Sequence, residues 1–128
     1  MIYSYNMMNA DKPYRTEMSN GKNGYQPIHA DSGLQTDAED MTPSEILEAA
    51  LASCTNMTVR GVLNKRGIPY DDIFVDVEME TVDGRTVITR KVRVVSDAPE
   101  ADVNAAIERG KNSHLTKVLG GEIEIRDE

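Results

Sequence analysis

The chain has 128 residues, 39% hydrophobic and 28% charged, with a formal net charge of −8. That length supports one domain with its own core and excludes two ordinary ones, while no apolar run approaches the roughly 20 residues that span a bilayer. The acid excess excludes a large phosphate-backbone interface, which needs clustered Lys and Arg, so neither nucleic acid nor membrane is an expected partner.

Residues 1–13 are Met-rich, polar and without period, and read as a poorly defined N-terminal arm or a poor edge strand. The segment from Tyr14 to Ser19 alternates, Asn20-Gly21-Lys22-Asn23-Gly24 supplies turn chemistry, and Tyr25 to Asp31 returns as a partner strand. Pro27 confines that return strand to an edge. Residues 32–41 form an acidic loop.

Thr42-Pro43-Ser44-Glu45 is a capping box with Pro at the first helical position. The Thr hydroxyl accepts the Glu45 amide, and the Glu45 carboxylate accepts the amide of Thr42. A helix therefore starts there. Leu47, Ala50, Leu51, Cys54, Thr58, Gly61 and Val62 recur at spacings of three and four and predict a helix to about Arg66, ended by Gly67 with Pro69 just beyond.

Asp72 to Val82 and Arg85 to Val95 each alternate with period two around Asp83-Gly84, which predicts a long antiparallel hairpin. Ser96 or Asp97 can cap a second helix from about Pro99, with Val103, Ala106 and Ile107 inward and a break near Gly110. Ser113 to Val118 reads as a short helix closed by Gly120-Gly121. Glu122 to Arg126 reads as a terminal strand.

This order belongs to the α+β class, an antiparallel sheet with a long central helix, in one domain over residues 1–128. The long helix is apolar around more than half its circumference, and a single three- or four-stranded sheet covers one side of it. A second copy is the simplest cover for the rest, so a homodimer is expected. The first residues lack the pattern of a signal peptide, which makes cytoplasmic residence the expectation.

Cys54 is the only cysteine, so there is neither an internal disulfide nor a cysteine-rich metal site. His29 and His114 lack ligand spacing, and no Gly-rich phosphate loop is present. No metal or cofactor is expected. On its spacing alone Cys54 fits a small buried filler, because free cysteine packs as an apolar residue. A reactive thiol would need its pKa lowered by a cation or a helix N-terminus, and Cys54 lies about three turns into its own helix, too far for that dipole.

The run from Thr42 to Arg60, continued by Asn64-Lys-Arg-Gly, resembles the central helix of the OsmC-like proteins, with Cys54 eleven residues after Pro43. The likeness extends through the Val-rich hairpin to the closing Gly-Gly-Glu-Ile-Glu-Ile, so it covers roughly residues 14–126. The resemblance implies an intertwined homodimer with sites between subunits. In the osmotically inducible and hydroperoxide resistance branches it implies a thiol peroxidase: one Cys attacks the peroxide and becomes a sulfenic acid, a second Cys forms a disulfide with it, and an Arg and a Glu hold the thiolate.

Cys54 matches the attacking position. Ser113 stands where the second Cys would be, which excludes a two-cysteine cycle. The acid that follows Pro43 in the peroxidases is replaced by Ser44. Glu45 comes one residue later, either as that acid or only as the capping partner. Arg15 is the only Arg before Cys54 and the candidate for the activating base, with Lys22 in the hairpin turn as the other cation, and neither matches the family's Arg motif. Arg60 points away from the thiol along the helix. His114 follows the former resolving position, where an imidazolium could lower the thiol pKa if it approached.

Three functions follow as expectations. The first is a one-cysteine peroxidase acting on a small hydroperoxide in oxidative or osmotic stress, restored by an external thiol reductant. The second is a non-catalytic dimeric module holding an apolar small molecule near Cys54. In the third, Cys54 only fills the helix interface.

Overall fold

The computed structural model describes residues 1–5, 14–22, 28–31 and 40–128. It divides into two compact units, Met1–Leu47 and Glu48–Glu128. In the first, strands β1 (Tyr3–Tyr5), β2 (Thr16–Ser19) and β3 (Ile28–Ala30) form an antiparallel sheet in that order. The register sets Tyr5 against Glu17 and Thr16 against Ala30. The expected hairpin is β2–β3, and the start of the N-terminal arm is its edge strand. Residues 23–27 of the hairpin turn and 32–39 of the acidic loop lie outside the described residues.

The turn after β2 uses side chains in place of a ladder: the Gly21 amide donates to Ser19 Oγ at 3.0 Å and the Lys22 amide to Asn20 Oδ1 at 3.1 Å. Gly21 has φ 73°, a left-handed conformation that glycine adopts without steric cost.

Helix α1 (Pro43–Lys65) begins at the expected capping box. The Glu45 amide donates to Thr42 Oγ1 at 3.2 Å, and the Thr42 amide donates to Glu45 Oε1 at 3.0 Å. Its far end closes as a Schellman motif on Gly67, whose φ is 67°. The Ile68 amide donates to the Leu63 carbonyl at 2.9 Å and the Gly67 amide to the Asn64 carbonyl at 3.1 Å, satisfying carbonyls that the helix leaves without partners.

In the second unit, β4 (Asp72–Val82) and β5 (Arg85–Val95) pair over their whole length, from Asp72 opposite Val95 to Val82 opposite Arg85. Asp83 and Gly84 both have positive φ, 51° and 74°, the geometry of a type I′ hairpin turn. Helices α2 (Glu100–Gly110) and α3 (His114–Gly120) follow. The core is Val59 and Leu63 of α1, Ile73 of β4 and Ala106 of α2, flanked by Val75, Val92, Val94 and Ile107. The Asn56 amide group also ties α1 to the hairpin, donating to the Ile73 carbonyl at 3.0 Å.

Four expectations need correction. The buried row of α1 is Leu51, Thr55, Val59 and Leu63, at spacings of four, while Leu47, Ala50 and Gly61 are exposed. The helix turns this adjacent row toward the hairpin and α2. The strands form two sheets rather than one, because β1–β3 and β4–β5 share no ladder. Neither Ser96 nor Asp97 caps α2: Pro99 occupies the cap, and its carbonyl accepts the amides of Asp102 and Val103. Ser96 Oγ instead donates to the Pro69 carbonyl at 2.6 Å and accepts from the Ala98 amide at 3.0 Å. Finally, Glu122 to Arg126 is not a strand, because no edge among the described residues of this chain pairs with it. Ile123 and Ile125 are left exposed.

Gly110 lets α2 end against α1. A Cβ there would lie 2.8 Å from Val59 Cα and clash with the Val59 side chain. Gly110→Ala should therefore destabilise the fold by about 1–3 kcal/mol despite alanine's better helix propensity. Gly120→Ala, where a Cβ meets nothing within 4 Å, should leave the denaturation midpoint nearly unchanged. Urea unfolding of the two variants beside the wild type checks both expectations.

Candidate functional site around Cys54

Helix α1 carries Cys54 half-buried, one residue before the buried Thr55. The chain then builds the other wall from the turn between α2 and α3. Ser113, 1% exposed, is the N-cap of α3, and its Oγ accepts the Thr116 amide at 3.3 Å. That cap turns the first amides of α3 toward Cys54.

The Leu115 amide does most to hold the Cys54 thiol below its ordinary range; partial burial opposes it, and the Ser113 hydroxyl, the His114 amide and the Thr58 hydroxyl reinforce it. The amides of Leu115 and His114 and the Ser113 hydroxyl present protons to the sulfur, which favours thiolate over thiol, while the Thr58 hydroxyl gives its own proton to the Cys54 carbonyl at 2.7 Å. The donors come from a different helix than the one carrying the cysteine. This is why the position of Cys54 along α1, which excludes help from that helix's own dipole, did not settle its ionisation.

A cation stands behind this wall. Arg90 lies on β5 in phase with Ile88, Val92 and Val94, opposite Val77. Its Nη1 donates to Thr55 Oγ1 at 2.9 Å and to Thr116 Oγ1 at 2.8 Å, and its Nη2 donates to the Lys111 carbonyl at 2.8 Å. Hydrogen bonds from a charged donor contribute about 1.5–3 kcal/mol each, and buried acceptors such as Thr55 Oγ1 cost more when left unmade. Sequence reasoning missed Arg90, although a signal was present: a charge at a position where the alternation of the strand calls for an apolar residue.

The other sequence candidates separate. Glu45 is in the capping box. Arg15 donates from Nε to Asp40 Oδ2 at 3.1 Å, and Asp40 is 8% exposed, so this is a largely buried, charge-assisted pair within the first unit. His114 opens α3 with an exposed side chain and brings its backbone amide, not its imidazole, to the thiol. Arg60 is exposed, donating to Asn56 Oδ1 at 3.3 Å with its guanidinium 5.4 Å from the Tyr70 ring centroid.

Beside the thiol wall lies a cavity of about 440 Å³ between α1, β5 and α3. Leu51, Ile88 and Leu119 form its apolar side, and Arg90, Lys111 and Thr116 its polar side. Lys111 Nζ is paired with Glu108 at 2.8 Å.

A thiol held below its ordinary range is ionised at lower pH, so its alkylation should rise with pH to a half-maximum below about 8.5. Iodoacetamide labelling of native protein across pH 5–10, beside the same protein in denaturant, measures this. Coincident profiles in the two states would show that the α3 donors do not act on the sulfur.

Residues 36–126 match the family described as OsmC-like protein. Among solved structures, an OsmC-like protein from Mycoplasma pneumoniae superposes with a TM-score of 0.73 at 18% identity, covering 94% of this chain and 86% of that one. An OsmC-like hydroperoxide resistance protein from Jannaschia sp. CCS1 superposes with a TM-score of 0.54 at 18% identity, covering 88% and 82%. No curated protein matches the sequence. With 91 of its 128 residues inside the family match, this chain belongs to the OsmC-like family.

Proposed function

We propose that this OsmC-like chain is a one-cysteine thiol peroxidase that reduces organic hydroperoxides in stress defence. The reading is supported by the Ser113-capped start of α3 beside Cys54, whose Leu115 and His114 amides and Ser113 hydroxyl hold the thiol below its ordinary range. A thiolate is the nucleophile for peroxide oxygen, and these donors favour it without a cofactor.

In this reading the Cys54 thiolate attacks the outer peroxide oxygen, the O–O bond breaks, and the alkoxide leaves and takes a proton as the alcohol. Sulfur is oxidised to sulfenic acid and the peroxide is reduced. With Ser113 in place of a second cysteine, one external thiol condenses with the sulfenic acid and releases water. A second thiol then displaces Cys54 from the mixed disulfide. Glu45 serves as a capping residue and Arg15 as the partner of Asp40.

The same reading takes the protein as a homodimer. Ala50, Ser53, Met57 and Gly61 form an exposed row on α1 at spacings of three and four, and Met57 is 70% exposed. Small residues let a second backbone approach, and such a row in water favours self-association. Sedimentation should give twice the chain mass; a monomer at micromolar concentration would refute this.

The cavity lined by Leu51, Ile88, Leu119, Arg90 and Thr116 favours a second reading, a binding module for an apolar small molecule with a polar end. One experiment separates the two: turnover of cumene hydroperoxide with dithiothreitol, wild type beside Cys54→Ser, with fatty-acid thermal shifts on both proteins. Wild-type turnover that falls at least a hundredfold in Cys54→Ser supports the peroxidase. Turnover unchanged by the substitution refutes it. Absence of turnover together with a shift that survives Cys54→Ser identifies the binding module.

A further inference from the structure

We propose that Arg90 is a positioning residue for Cys54 and acts through a chain of two hydroxyls, Thr116 and Ser113, that reverses its hydrogen bonds when the thiol loses its proton. The argument is a count of protons. Arg90 only donates, so it fixes Thr116 Oγ1 as an acceptor at 2.8 Å and fills one acceptor site on the Lys111 carbonyl at 2.8 Å. Thr116 Oγ1 lies 2.9 Å from the same Lys111 carbonyl and 2.8 Å from Ser113 Oγ. Each hydroxyl has one proton to give.

Two arrangements satisfy these contacts. With Cys54 as thiol, Ser113 donates to Thr116 and Thr116 donates to the Lys111 carbonyl. With Cys54 as thiolate, the Ser113 hydroxyl, one of the groups that favour the ionised sulfur, turns its proton to Cys54, and Thr116 turns its own to Ser113. The second arrangement takes the Thr116 proton away from the Lys111 carbonyl, which remains satisfied because Arg90 Nη2 already donates there. Arg90 thus removes the penalty of an unpaired carbonyl from the ionised state, and its charge reinforces the donation along the chain. Its third bond, to buried Thr55 Oγ1, anchors the guanidinium to α1 next to Cys54.

The surrounding charges do not offer a simpler route. Lys111 Nζ is paired with Glu108, and His114 and Lys117 of α3 have exposed side chains. On α1, Glu48 lies more than one turn away along the helix, and Arg60 is engaged with Asn56 and Tyr70.

This inference deepens the peroxidase reading and rests on it only for its biological use, so its test contains no peroxide. The measurement is the pH profile of iodoacetamide alkylation of Cys54 in the homogeneous full-length protein. Ser113→Ala should lower the rate at pH 6.5 by about ten- to a hundredfold, the effect of losing one hydrogen bond to an ionised group, and shift the profile to higher pH. Thr116→Val, which keeps the shape and removes the hydroxyl, should shift it in the same direction, and Thr116→Ser should restore it. In the Ser113→Ala background Thr116→Val should add nothing, because the chain is already broken. Arg90→Lys should shift the profile upward as well, since one ammonium cannot serve three divergent acceptors.

A profile unchanged by Thr116→Val in folded protein, or shifts that add in the double variant, would overturn the relay. Should the Arg90 variant fail to fold, the Thr116 and Ser113 variants still decide the question. A relay that behaves as expected in a protein without hydroperoxide turnover would leave the inference standing and refute the peroxidase.

Discussion

The second unit depends on the three hydrogen bonds of Arg90. They reach Thr55 on α1, Thr116 on α3 and the Lys111 carbonyl where α2 ends, from a residue on β5. Hydrophobic contact alone does not hold α3: none of its residues is buried, and its attachment comes from the buried Ser113 before it and from the Arg90 bonds to Thr116 and Lys111. An apolar side chain at position 90 would fill the same place in the strand without specifying where α3 sits. The guanidinium, with fixed donor directions, does specify it.

That placement determines what Cys54 can do. A cysteine in the middle of a long helix gains little from that helix's dipole, and an arginine in direct contact would be the simple remedy. The fold of this unit uses neutral groups instead, the amides of Leu115 and His114 and the Ser113 hydroxyl. The cation stands one layer behind and orients them. With Cys54 the only cysteine no internal disulfide can form, and the Ser113 hydroxyl is a hydrogen-bond donor at the wall facing it.

Local signals in the sequence were sufficient wherever one short segment settles the structure. The capping box at Thr42 and Glu45, the left-handed Gly67 and the Asp83-Gly84 turn each depend on a few adjacent residues and appear as expected. The inward row of α1 did not, because the helix is apolar over more than one row and only its packing partners choose between them. The terminal strand failed for a related reason: alternation at Ile123 and Ile125 describes a segment able to pair, and pairing needs an available edge. The site was legible to the extent of Cys54 and the place of Ser113. Its donors were not, since they lie about 60 positions further along the chain, and Arg90 was concealed among the charges of a hairpin that alternates with charge on both sides.

A thiol whose ionisation depends on another helix acquires that ionisation only once the chain has folded. A newly made or misfolded chain carries Cys54 as an ordinary thiol, mostly protonated at neutral pH and slow to be oxidised. Local opening that releases α3, the least embedded helix of the unit, would return the sulfur to that state while the core of Val59, Leu63, Ile73 and Ala106 stays intact. Chemical quality control is thereby built into the architecture: the sulfur is armed while α3 is docked and disarmed when α3 leaves.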